Sequence, residues 1–353
     1  MTLNLEHGLT CHKHQKMRCI TKSKTQLTID PFMCRLSHIF FYTMGNTMTN
    51  AEAIQQLEKD GLYKVIERLN PPAFYHQGQA TTPRIGIVLD TETTGLDTTV
   101  DKIIELGFIA FEYDASSGKI YKVLHAYGGF EDPGEPLSEV IIQVTGITDD
   151  MVKGQRLNDS EINQWLEKAD LIIAHNAAFD RQMLERRLPI AVNCNWACTF
   201  NDIAWSDEDI SSLKLDYIAY KLGYFFDGHR AVNDAQATLH LLSKSLPKSG
   251  KPAMAELLSH ARFQSRRFFA VAAPFEKKDD LRNRGYRWLA EFSYTDSYNK
   301  PKKGVWSKAV AEEDIKDEEQ WLCESIYAGK KGLFCFKDVS ATLRYSVREF
   351  LAD

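Results

Sequence analysis

"IVLDTETTG" (residues 87–95) joins an apolar run to two acids placed two positions apart, Asp90 and Glu92. Ile87, Val88 and Leu89 have the composition of a buried strand. Side chains alternate between the faces of a strand, so Asp90 and Glu92 point to the same side. Like charges so close repel unless something positive sits between them. Two readings of this stretch stand side by side: a strand that surfaces into a Thr/Gly turn with two solvated acids, or a cation site at a strand end.

The run is the first of three strand-like segments, 84–91, 102–113 ("KIIELGFIAFEY") and 120–127 ("IYKVLHAY"), the last two joined by the hairpin-type loop "DASSGK". The period then becomes helical over 137–144 and 160–168. A short buried strand, "LIIAHN" (171–176), feeds the helix "AFDRQMLERRL". "SSLKLDYIAYKLG" reads as a helix opening on serines and closing at Gly223, and a helix over 232–246 completes the segment. A meander of three strands followed by alternating α and β predicts an α/β domain over 82–247, with a mixed sheet flanked by helices.

The remaining sequence sets the frame. A chain of 353 residues has room for about two domains. Residues 1–47 lack a sustained period and predict a disordered tail; Cys11, His12, His14 and Cys19 do not have the spacing of a structural zinc site. Residues 48–81 predict a helix over 50–69, stopped by Pro71-Pro72, and a polar linker. "LPKSGKP" (246–252) reads as a second linker, before a small α+β module over 262–353. If that module adds a basic, stacking surface, a chain ending near Pro247 is expected to degrade very short oligomers normally and to bind long ones more weakly. In the module Arg and Lys interleave with Phe, Tyr and Trp, a pattern suited to single-stranded nucleic acid, although Trp288 and Trp306 read first as core.

The composition is that of an ordinary globular protein, 44% hydrophobic and 26% charged, with a net charge of −5 that advertises no global positive field. No apolar stretch approaches the roughly 20 residues of a membrane span. Seven scattered cysteines predict reduced thiols and a cytoplasmic protein.

Two more stretches bear on the acid pair. In "LIIAHNAAFDRQML" a buried strand ends at His175-Asn176 and Asp180 follows at a helix start. In "GHRAVNDAQATLHLL" Asp234 begins a helix five residues after His229. Five residues turn a helix to about 140° off, so His229 belongs to the preceding loop. Singly, Asp180 and Asp234 read as helix N-terminal acids and the histidines as loop and core residues.

Together, "LDTETTGLD", "HNAAFD" and "HRAVNDA" resemble the three ordered motifs of the DEDDh 3′→5′ exonucleases, the family of the bacterial replicase proofreading subunit, RNase T and oligoribonuclease. "VTGITDDMV" (144–152) is similar to a family segment between the first two. The resemblance implies an RNase H-like fold. It implies that Asp90, Glu92, Asp180 and Asp234 bind two Mg²⁺ (or Mn²⁺) ions, with His229 as general base. It further implies that Thr93 and Leu96 grip the 3′-terminal nucleotide and that Asn176 and Phe179 line the strand's path, with core packing the alternative for Phe179. Hard cations suit such oxygen ligands. Two unit charges 4 Å apart repel by roughly 4 kcal/mol at an effective dielectric of 20, so four converging acids need cations.

The expected activity is hydrolysis at single-stranded DNA or RNA 3′ ends, releasing nucleoside 5′-monophosphates. The alternatives are a proofreading partner of a DNA polymerase or other replication or repair protein, and a non-catalytic nucleic-acid-binding protein on the same fold.

Overall fold

The computed structural model describes residues 48–262, 264–295, 300–330 and 332–350. The segment 1–47, with its Cys/His cluster, lies outside the described residues. The chain divides into two units, 1–65 and 66–353.

In the first unit a helix, α1 (Asn50–Glu58), starts with a reciprocal cap between Thr49 and Glu52. The apolar period predicts a helix to residue 69, but α1 stops at Glu58 and Gly61 turns left-handed at φ 69°. None of the residues in α1 is buried, so no packing stabilises a longer helix against the glycine.

The second unit opens with a short strand, β1 (Glu67–Arg68). The three predicted strands come next as β2 (Pro83–Thr93), β3 (Ile103–Asp114) and β4 (Ile120–Phe130), paired antiparallel in sequence. Helices α2 (Glu139–Thr145), α3 (Asp149–Val152) and α4 (Asp159–Lys168) succeed them. Strand β5 (Leu171–Ala174) runs parallel to β2, and helix α5 (Ala177–Arg187) leads to β6 (Trp196–Cys198), parallel to β5. Helix α6 (Leu215–Lys221) begins four residues after the first serine of its predicted span, with Lys214 as its N-cap. Strand β7 (Tyr224–Phe225) pairs with β1 and precedes helix α7 (Ala231–Leu242).

The resulting sheet has the order β4–β3–β2–β5–β6. Its two faces obey the alternation of β2: Val88 joins a core with Ala235 and Leu239 of α7, while Ile87 and Leu89 join one with Met183 and Leu184 of α5. This is an RNase H-like mixed sheet flanked by helices.

Helix α8 (Ala253–Ala261) forms between the predicted linker and the predicted module, where the sequence points to no element. At nine residues its apolar period is too short to stand out. Its Met254, Leu257 and Leu258 enter the same core as Val88, so this core continues past residue 247.

The C-terminal α+β module is built from β8 (Ser265–Ala270), α9 (Lys278–Asn283), β9 (Arg287–Thr295), β10 (Pro301–Ala311), α10 (Ile315–Trp321) and β11 (Cys335–Val339). Its antiparallel sheet has the order β11–β8–β10–β9. Trp306 packs against its core of Phe268, Leu281, Tyr286 and Leu322, as expected. Trp288 does not: it lies on the edge strand, 52% exposed, over Gly304 and edge-on to Trp306. Past β11 the chain turns back, and the Ala341 carbonyl accepts from the Trp196 N–H (3.0 Å) at the free edge of β6.

Candidate active site

The parity of β2 that puts Val88 beneath α7 also puts Asp90 and Glu92 there. Asp90, Glu92 and Asp234 each offer a carboxylate oxygen, and these oxygens lie within 4.8 Å of one another. Thr91, on the opposite parity, faces α5 and holds Asp180: its N–H and Oγ1–H donate to Asp180 Oδ1 at 3.0 and 2.8 Å. The strand end thus collects acids from helices on both faces of the sheet.

A fifth acid is not apparent from the motifs. Glu105, buried in β3, is the cross-strand partner of Glu92. It takes an ion pair from Arg230 (2.9 Å) and a hydrogen bond from the Ala231 N–H (3.1 Å). A carboxylate at a helix N-terminus is favourable, and here it pins the start of α7, the helix that carries Asp234. Its one signal in the sequence is a charge in the otherwise apolar "KIIELGFIAF". Next to it, Gly107 lets the helix come close: a Cβ there would lie 2.3 Å from the Ala231 carbonyl carbon.

Burial, followed by Asp180, Asp234, Glu92 and Glu105, holds the Asp90 carboxyl well above the usual carboxylate range. Burial and then Asp234, Glu105 and Asp180 push Glu92 up to about 8, with Arg230 acting against them. Burial raises Asp180 to about 7 against its two Thr91 hydrogen bonds, and raises Asp234 to about 6 against the Arg230 N–H. Uncompensated carboxylates pressed together in this way form the donor set of a hard divalent cation. The residues fit such an ion.

The other predicted positions are distributed around this cluster. His229 is exposed in the loop before α7, with a left-handed φ of 62°. Thr93 is buried, its hydroxyl donating to the Gly95 carbonyl, while Leu96 stands 87% exposed. Asn176 is exposed at the N-cap of α5 in a left-handed conformation. Phe179 packs partly into the α5-side core, the alternative given for it. His175 is a structural histidine, its nitrogens bonded with Thr199 (2.8 Å) and the Leu213 carbonyl (2.7 Å).

The family model of the RNase T exonucleases matches residues 87–242, which span the whole acid cluster. This segment belongs to the exonuclease family. The chain is also similar to curated relatives. A PolC-type DNA polymerase III of Thermotoga maritima is 28% identical over 246 residues, 68% of this chain and 17% of that protein. One of Listeria innocua is 33% identical over 181 residues, 49% of this chain and 12% of that protein. The chain thus spans less than a fifth of the length of these relatives. Among solved structures, exonuclease X in complex with 5′ overhanging duplex DNA is 25% identical over 50% of this chain and 99% of that one; the TM-score of 0.37 is too low to add to the fold described above. Among the described residues, no helix is long and apolar enough to cross a membrane.

Proposed function

We propose that this protein is a metal-dependent 3′→5′ exonuclease that hydrolyses phosphodiester bonds at single-stranded DNA or RNA ends and releases nucleoside 5′-monophosphates. The observation that carries the reading is the convergence of Asp90, Glu92 and Asp234 around one point, with Asp180 held beside them by Thr91.

Asp90, Glu92, Asp180 and Asp234 would hold two Mg²⁺ or Mn²⁺ ions. Bound there, such ions supply positive charge to the attacking and leaving oxygens of an in-line displacement. His229 takes the proton of the attacking water, a task suited to its exposed loop beside the helix that carries Asp234. Leu96, projecting from the loop after β2, meets the terminal base, and Asn176 meets the backbone behind it.

The decisive experiment uses 5′-end-labelled DNA and RNA oligonucleotides, single- and double-stranded, with Mg²⁺, with Mn²⁺ and with chelator. A ladder shortening from the 3′ end, abolished by chelator, is the expected result. Degradation that persists in chelator, or that shortens from the 5′ end, would refute the reading. The similarity to PolC-type polymerases favours one second reading, a proofreading role beside a polymerase partner. In that case a mismatched primer end would be removed faster than a matched one when polymerase is present.

A further inference from the structure

Helix α5 carries Asp180 on its site-facing side, and its next residue is an arginine whose side chain is 0% exposed. Arg181 donates from Nη1 to the Arg344 carbonyl (2.5 Å) and from Nη2 to the Thr342 carbonyl (2.6 Å), with a longer bond from Nη1 to the Ala341 carbonyl (3.4 Å). Its Nε reaches Glu185 (2.7 Å), and the guanidinium lies 5.5 Å from the centre of the Trp196 ring. A buried guanidinium without partners is costly. Here its acceptors, Glu185 apart, come from a strap that succeeds the last strand of the module.

That strap, 340–350, is fastened along its length. Tyr345 donates its hydroxyl to Asp202 (2.6 Å), Arg344 reaches the His260 carbonyl (2.9 Å), and Arg348 pairs with Glu185 (2.9 Å) and the Val192 carbonyl (3.0 Å). On the module's side, Arg267 of β8 donates to Glu349 (2.8 Å).

Consecutive residues on a helix project about 100° apart, so one rotation of α5 sets both Asp180 and Arg181. We infer that Arg181 is a positioning residue: seated on the strap's carbonyls, it fixes the rotation of α5 and thereby the place of the Asp180 carboxylate in the acid cluster. The strap is then part of the catalytic unit. This inference rests on the exonuclease reading above and deepens it. A displacement of an ångström at a reacting centre costs about 10²-fold in rate, and residues that orient metal ligands typically carry about 10- to 100-fold in affinity or activity.

The test uses the full chain with Arg181→Met and, separately, Arg348→Met, which keeps Arg181 itself but loosens the strap and removes the neighbour that shares its Glu185 and Thr342 acceptors. Three quantities are read: Mn²⁺ binding without nucleic acid, the melting temperature, and kcat and KM on an end-labelled oligonucleotide below the melting transition. Arg181→Met is expected to weaken Mn²⁺ binding and lower kcat by about 10- to 100-fold each, with KM within about twofold. Arg348→Met should move Mn²⁺ binding and kcat the same way by more than about twofold. If Arg181→Met does not fold, Arg348→Met decides on the same readouts. A lower melting temperature with Mn²⁺ affinity and kcat within about twofold of wild type would overturn the inference and leave the strap a structural tie. Asp180→Asn separates the two ideas: wild-type Mn²⁺ affinity and turnover in that variant would sink the acid-cluster reading itself.

Discussion

Asp234 supplies one of three carboxylate oxygens within 4.8 Å of one another, and its loss acts on catalysis and stability in opposite directions. Asp234→Ala should abolish cleavage yet melt no lower than wild type without metal, because it relieves repulsion in the cluster. Wild-type turnover in this variant would end the metal-site reading. The same crowding sets a pH dependence. Glu92 is raised to about 8, Asp180 to about 7 and Asp234 to about 6, each chiefly by burial. An unfolded carboxylate titrates at about 4, so between about pH 4 and 8 the folded protein binds more protons than the unfolded chain. The cluster's contribution is therefore complete below about pH 4 and is lost as pH rises toward 8. Asp114 has the opposite sign, held well below the usual range by Ser116 first and by the Thr82 N–H, so its contribution is lost only toward lower pH. In chelator, wild type should lose melting temperature from pH 5 to 8 relative to Asp90→Asn, and Mg²⁺ should restore more at pH 8 than at pH 5. Parallel curves for the two proteins would contradict this. His229→Ala should keep metal and substrate binding and lose roughly 10²- to 10⁴-fold in turnover, the usual size of a general-base contribution. An unchanged kcat would make His229 only a loop residue.

At the scale of elements, the start of α7 lies against β3 at Gly107, where any Cβ would meet the Ala231 backbone at 2.3 Å. Gly107→Ala should push α7 outward, cost about 1–3 kcal/mol and lower kcat with Asp234 displaced. A denaturation midpoint and kcat equal to wild type would show that the helix has slack there. Much of this architecture is legible in the sequence. The alternation of Ile87, Val88 and Leu89 specifies a strand with two buried faces, and the same alternation places Asp90 and Glu92 together beneath α7. The illegible part depends on partners distant in sequence. Glu105 reads as an ordinary strand charge until Arg230 and the Ala231 N–H are seen against it. Trp288 reads as core by composition, yet edge strand β9 leaves it 52% exposed on Gly304. The extent of α1 departs from its pattern for a local reason: the apolar period has no buried face to satisfy it.

For the whole molecule, the question is whether the nuclease sheet stands without the residues C-terminal to it. From sequence, a chain ending near Pro247 is a self-sufficient exonuclease domain. The structure argues against that independence on two counts. Met254, Leu257 and Leu258 of α8 fill the core shared by Val88 and Leu239, and burying each such side chain is worth about 1.5–3 kcal/mol. Arg181 would also lose all three of its carbonyl acceptors and the strap that covers it, leaving Glu185 as its one remaining hydrogen-bond partner among those described. The first loss alone is comparable with the roughly 5–15 kcal/mol that holds a typical domain folded. A chain ending at Pro247 should therefore be largely unfolded at 25 °C by circular dichroism and inactive even on very short oligomers. One ending at Arg262 should regain part of the lost structure, and adding Arg181→Met to it should change its stability little, since water then reaches the guanidinium where the strap lay. In the full chain the same substitution should destabilise. A destabilisation confined to the full chain is the signature of coupling between Arg181 and the strap. Equal effects of Arg181→Met in both would mean that the strap and the arginine contribute independently.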